Sequence, residues 1–182
     1  MQHLPLPYAA FCLLLVVITS GVSSTCEPDA LLERHNYFRA KHGVPPLTWN
    51  NTIEAVARSY ANHLAATGEI VHSGNTNYGE NLAANGAGFD MSLMIDKMYS
   101  EEIQRYDSWC GEPADNSRTG HFTQIVWKST AQLGCACAFY HDQSKGQVQV
   151  CNFYPPGNVP NQFAENVLPA IGDANCPTQK KV

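Results

Sequence analysis

Hydrophobic and polar positions alternate most clearly in the last third of the chain. In HFTQIVW, His121, Thr123, Ile125 and Trp127 share one face, while Phe122, Gln124 and Val126 share the other, the period-two pattern of a strand. Two further runs, 133–140 and 147–153, flank the polar segment HDQSKG and predict a hairpin. Closed symmetrically about Gln143, the hairpin sets Cys135 opposite Cys151 and Cys137 opposite Gln149, and directly opposed β-carbons lie within reach of a disulfide. Cys135–Cys151 is therefore the predicted bridge, and a register shifted by one residue would remove it.

Upstream, the period lengthens to that of a helix. PDALLERHNYFRAK has Pro28 at a first helical position and Gly43 just past the end, with Leu31, His35 and Phe38 on one face. A histidine on such a face is expected to be a hydrogen-bonded core group rather than a ligand. VPPLTWN cannot continue the helix, and Leu47 and Trp49 anchor this crossing. A second helix follows, with a capping box from Asn51 to Glu54, a stripe of Ile53, Val56, Ala57, Tyr60, Ala61 and Leu64, and a stop near Gly68. The segment 69–89 is rich in Gly and Asn and reads as a long functional loop carrying His72 and Glu80. A third helix is predicted from Asp90 to about Tyr106, with Met91, Ile95, Met98, Tyr99 and Tyr106 as its stripe. Glu102 projects from the middle of that stripe. A buried carboxylate must be paired or neutralised, so Glu102 needs a partner unless the helix is rotated or ends early.

Composition places this pattern in an exported protein. The first 24 residues, an apolar run followed by small residues, resemble a secretory signal peptide with cleavage near Ser24, although without Lys or Arg at the start. The run is short for a bilayer of about 30 Å, so no stable membrane insertion is expected. Residues 25–182 then form one domain with an ordered tail fastened at Cys176, and its location is extracellular. Cys26, Cys110, Cys135, Cys137, Cys151 and Cys176 remain, an even count that implies a disulfide framework, and beyond the hairpin bridge every pairing stays open. A net charge of −5 with only 11 Lys and Arg argues against nucleic acid. Asn50-Asn51-Thr52 is a glycosylation sequon at Asn50, with a helix cap as the competing role.

Several motifs resemble one family. GHFTQIVWKST (120–130), CNFYPPGN (151–158), HNYFR (35–39), YGENLA (78–83) and HSG (72–74) are similar to the CAP family of cysteine-rich secretory, antigen 5 and pathogenesis-related class one proteins. The GNVPNQFAENV tail is most similar to fungal members. The resemblance implies an α+β fold, a disulfide-stabilised three-layer α-β-α sandwich with a small antiparallel sheet and a central cleft. It also implies that His72, Glu80, Glu102 and His121 converge in that cleft, Glu102 being the glutamate four residues before a tyrosine. Two departures stand out: the family's helix tryptophan is replaced near Met98 or Tyr99, and the usual cysteine before the loop histidine is missing.

Two neutral imidazoles, His72 and His121, are expected to bind a divalent ion such as Zn²⁺ or Mg²⁺ weakly, with the glutamates orienting them. The resemblance implies a carrier of sterols or fatty acids, for which Met91, Met94, Ile95 and Met98 are candidate lining residues. No catalytic residue is assigned, and neither HExxH nor GxSxG occurs. A metal-dependent hydrolase or protease is one alternative. The other is a defence or virulence signalling module acting through an unidentified extracellular protein partner.

Overall fold

A computed structural model describes residues 26–86, 89–109 and 111–173. The expected leader, Cys110 and Cys176 lie outside the described residues. Helix α1 (Pro28–Lys41) begins and ends where the sequence predicts, with Gly43 at φ 64° just beyond it. Helix α2 (Asn51–Thr67) stops at Gly68, which takes the left-handed conformation that only glycine enters freely. Its cap is Asn50 rather than the predicted Asn51: the Asn50 Oδ1 accepts from the Thr52 and Ile53 amides. Glu54, freed from the capping box, instead accepts from the Trp49 indole at 3.0 Å and pairs with Arg58. Asn50 Nδ2 donates to Gln132 at 2.8 Å, so the sequon residue is also the helix cap.

Four strands form one sheet in the order β1-β3-β4-β2: β1 (Thr48–Trp49), β2 (Gly79–Asn85), β3 (Gln132–Phe139) and β4 (Gln147–Tyr154). The β3–β4 hairpin has the predicted register, with Cys135 opposite Cys151 and Cys137 opposite Gln149. The Cys135–Cys151 disulfide forms across a Cα separation of 4.1 Å, and Cys26 closes a second bridge to Cys137. The sheet is mixed rather than antiparallel, because two residues of the crossing after α1 pair in parallel with β3. The expected loop 69–89 contains strand β2, antiparallel to β4. Its Gly and Asn content hid a real alternation: Leu82 joins the cluster under α2, while Ala83 joins the cluster on the opposite face.

The largest correction concerns HFTQIVW, which is helix α4 (Gly120–Val126) and not a strand. Phe122, Thr123, Gln124, Ile125 and Val126 are all buried, so beyond His121 the helix is enclosed by protein. A short helix wrapped in protein has no polar face, and hydrophobic period then cannot separate it from a strand. Helix α3 (Ser92–Glu102) is shorter than expected, starting after Asp90, whose Oδ1 accepts from Ser92 N, and passing into a 3₁₀ turn (Ile103–Arg105). Tyr106 remains buried all the same.

Three layers result. Helix α2 covers one sheet face over Ala136, Ala138, Val148 and Val150, while α1, α3 and α4 cover the other around Phe122, Trp127, Leu133 and Phe153. Gly134 makes the α2 approach feasible, since a Cβ there would overlap Ile53 C and Glu54 N. A short helix, α5 (Phe163–Asn166), packs its Phe163 edge-on against Trp127. Arg39, fully buried on α1, was not anticipated. Its guanidinium donates to the carbonyls of Pro45, Ile125, Trp127 and Thr130 at 2.8–3.0 Å, satisfying the open C-terminal end of α4. Burial pulls its pKa down to about 10.

Candidate functional site

Strand β2 is an edge strand, and side chains alternate across it. Glu80 opens the series that continues through Leu82 under α2, whereas Asn81 belongs to the series of Ala83 that meets α3 and α4. His72, in the segment preceding β2, reaches Glu80: its Nδ1 lies 2.7 Å from Oε1, and the Ser73 amide donates to the same oxygen at 2.9 Å. Across the strand, His121 at the start of α4 places Nδ1 2.6 Å from Glu102 Oε1, while Phe122 N donates to Oε2 at 3.0 Å. Asn81 ties the two halves together by donating from Nδ2 to the His121 carbonyl at 3.2 Å.

The carboxylates lie beneath the imidazoles: the side chains of Glu80 and Glu102 are 9% and 12% exposed, against 65% and 36% for His72 and His121. An ionised carboxylate can only accept, so each Nδ1 is the donor, and in the neutral ring Nε2 then keeps its lone pair. A cavity of about 180 Å³ is lined by both imidazoles together with Glu80, Asn81, Asn116 and Asn158. Glu102 joins this group through His121, and both residues also line a neighbouring cavity of about 220 Å³. The four residues singled out from the sequence are thus gathered as two imidazole–carboxylate pairs at one opening. Glu80 sits on a strand rather than the expected loop.

The asparagines escaped the sequence reading. Asn158, at φ 57°, accepts from Thr123 Oγ1 at 2.6 Å and donates to the Gly120 carbonyl at 2.9 Å, fixing the start of α4 behind His121. Its place in CNFYPPGN, beside a glycine, was the available signal. Among the described residues no three His, Cys, Asp or Glu side chains are grouped so as to hold a metal ion.

The candidate lipid residues divide. Met91 and Ile95 are 0% and 1% exposed and packed in the core, because the α3 stripe that they form faces α1 and α4. Met94 and Met98 line the 220 Å³ cavity with Leu82 and Ala83. His35 is a core group, as expected: Nδ1 donates to the Leu31 carbonyl at 2.7 Å, the ring meets Phe153 edge-on, and burial lowers its pKa to about 4. His42 is likewise buried, between the Leu168 carbonyl and the Tyr99 hydroxyl, and desolvation lowers its pKa.

The comparisons agree with this architecture. Residues 32–153 match the model of the cysteine-rich secretory protein family, CAP. Pathogenesis-related protein 1B of Nicotiana tabacum is 37% identical over 82% of this chain and 88% of its own length. Secreted protein RBT4 of Candida albicans is 39% identical over 82% of this chain, and protein PRY2 of Saccharomyces cerevisiae 37% over 77%. The chain spans 42% and 40% of those two fungal relatives. Among solved structures, venom allergen-like protein 4 of Schistosoma mansoni superposes with a TM-score of 0.58 at 20% identity, covering 85% of this chain and 99% of that one. Family match, sequence relatives and shared sandwich together show that the chain belongs to the CAP family of cysteine-rich secretory proteins.

Proposed function

We propose that this CAP-domain protein is exported and acts as a non-enzymatic carrier of a small lipid, with a divalent ion held in its central cleft. The observation that carries the reading is the pair of imidazoles lining one cavity, each with Nδ1 tied to a glutamate and with Nε2 free of partners among the described residues. A carboxylate behind an imidazole fixes the ring and raises the basicity of the other nitrogen, as in carboxylate–histidine–zinc arrangements. Imidazole ligands suit Zn²⁺, whereas Mg²⁺ demands oxygen ligands, so of the two ions the residues fit zinc. Such an ion would supply positive charge at the mouth of the cleft for a polar head group.

The cavity beside Glu102 and His121 offers an apolar path for a tail between Ala83, Met94 and Met98. Its 220 Å³ falls below the roughly 300–1,000 Å³ of common small-molecule sites. That favours a segment of acyl chain over a sterol ring system, with the adaptable methionines giving way. Export is supported by the leader-like first residues and by similarity to a secreted relative. Among the described residues no helix is long and apolar enough to cross a membrane. Hydrolysis through a serine, threonine or cysteine nucleophile finds less support, since among the described residues none of these is hydrogen-bonded to either imidazole.

Native mass spectrometry of the secreted protein is expected to show a bound fatty acid and zinc. Zinc titration of a His72→Ala, His121→Ala variant is expected to lose the ion; unchanged affinity removes the ion site. Failure of both radiolabelled palmitate and radiolabelled cholesterol to bind removes the carrier reading.

A further inference from the structure

The largest cavity described lies on the other face of the sheet. It is a groove of about 720 Å³ between α2 and the segment before β2, and eight of its ten lining side chains can form hydrogen bonds. Tyr60 and His63 stand one helical turn apart with their rings stacked, centroids 5.8 Å apart and planes within 22°. The pair, with Val56 beside it, gives this wall of the groove an aromatic surface. The Tyr60 hydroxyl donates to the Val71 carbonyl at 2.6 Å, which holds the opposite wall in place. Asn152 of β4, paired with Glu80 in the sheet, also lines the groove. It is 3% exposed, and its Oδ1 has no hydrogen-bond partner among the described residues.

A buried acceptor without a donor costs about 1–3 kcal/mol, so a built groove that retains one is short of a donor. The charge pattern narrows the choice. Among the described residues no Lys or Arg lines the groove, and its one carboxylate, Glu80, is already engaged by His72 and the Ser73 amide. An anionic ligand would find no permanent positive charge among them. An acyl chain would cover the rings but leave Asn152 and the surrounding hydroxyls without partners. A pyranose meets both demands, because it has an apolar C–H face for the ring platform and a rim of hydroxyl donors and acceptors.

We propose that this groove is a binding site for a neutral oligosaccharide, one sugar stacking on Tyr60 and His63 and one hydroxyl donating to Asn152 Oδ1. The groove borders the ion site at Glu80, whereas the apolar cavity of the lipid reading lies toward α3.

The test is calorimetric and NMR titration of the intact secreted protein with laminarihexaose, chitohexaose and mannohexaose, with heparin hexasaccharide and palmitate alongside. Saturable binding of at least one neutral hexasaccharide is expected, with amide shifts confined to α2, residues 70–80 and the neighbourhood of Asn152. Asn152→Leu is expected to weaken it about tenfold while leaving thermal stability equal or higher, because it removes a buried unpaired amide. His63→Ala, at an exposed position, is expected to weaken it without unfolding the chain. Absence of binding by all three neutral sugars, tighter binding of heparin, or binding indifferent to both substitutions overturns the proposal. Palmitate that competes for the same shifts also overturns it.

Discussion

His35 makes acid sensitivity a direct readout of the core. Its ring lies 1% exposed between α1 and Phe153, and desolvation is the main reason its pKa falls from 6.5 to about 4, with Arg39 pushing the same way and the Leu31 carbonyl opposing. The fold therefore holds the neutral form. Between pH 6.5 and 4 the unfolded chain binds a proton that the native chain refuses, so stability is fully present above the unfolded value and lost as pH falls through the folded one. At about 1.4 kcal/mol per pKa unit, that gap removes roughly 3 kcal/mol by pH 4. For a domain of this size such a loss is a large share of a typical total of about 5–15 kcal/mol. Urea denaturation of the oxidised protein at pH 7, 6, 5 and 4, compared with His35→Gln, measures it. The variant is expected to be less stable at pH 7, having lost ring packing, but to draw level with the parent as pH falls. His42, shifted in the same direction, supplies acid sensitivity that both proteins retain. Denaturation curves that stay parallel between pH 7 and pH 4 would refute the assignment of a neutral core imidazole.

Further expectations follow from other contacts. Replacing Cys26 and Cys137, which close 111 residues, is expected to cost about 5 kcal/mol on the loop-entropy model, against about 3 for Cys135 and Cys151, which close 16; urea midpoints of the two double variants rank them. Arg39→Lys keeps the charge but cannot reach four carbonyls from one planar fork, so thermal unfolding is expected to show a loss of about 3 kcal/mol. Gly134→Ala forces α2 away from the sheet and is expected to cost about 1–3 kcal/mol in the same assay. Asn50→Ala removes the α2 cap and about 1 kcal/mol, and a glycosidase-sensitive mass shift in the parent, absent from the variant, would show that the sequon is used.

What the sequence displayed depended on how many faces each element leaves exposed. Helices α1 and α2 are covered on one side only, so their stripes were readable, and Leu31, His35, Phe38, Ile53 and Leu64 are buried as expected. The β3–β4 register was readable because a polar turn fixes its centre. Val56 and Tyr60, placed in the stripe of α2, are instead half-buried at the groove. Helix α4 was opaque because burial on all sides erases the helical period. Strand β2 was opaque because an edge strand of Gly, Glu, Asn and Ala has the composition of a loop. Glu102 was legible from physics alone: a carboxylate on an apolar stripe required a partner, and His121 with the Phe122 amide provides it.

The cleft depends on register more than on any single contact. Asn81, Cys151 and Cys135 occupy one rung across three strands, so the hairpin disulfide and the asparagine that holds the His121 carbonyl lie in line. A slip of β2 by one residue would turn Glu80 toward α3 and Asn81 toward α2, because strand side chains alternate with a period of two. Both imidazole–carboxylate pairs would then fail together, His72 losing its carboxylate and His121 its tether. Pairing through seven residues from Gly79 to Asn85 resists such a slip. The bridge at Cys135–Cys151 extends that resistance by fixing β4 against β3. On this argument the hairpin disulfide serves the site as well as stability. Its removal is expected to weaken zinc binding under conditions in which circular dichroism still shows a folded chain, whereas loss of Cys26–Cys137, which ties β3 to the start of α1 and not to β4, is expected to lower stability and leave zinc affinity intact.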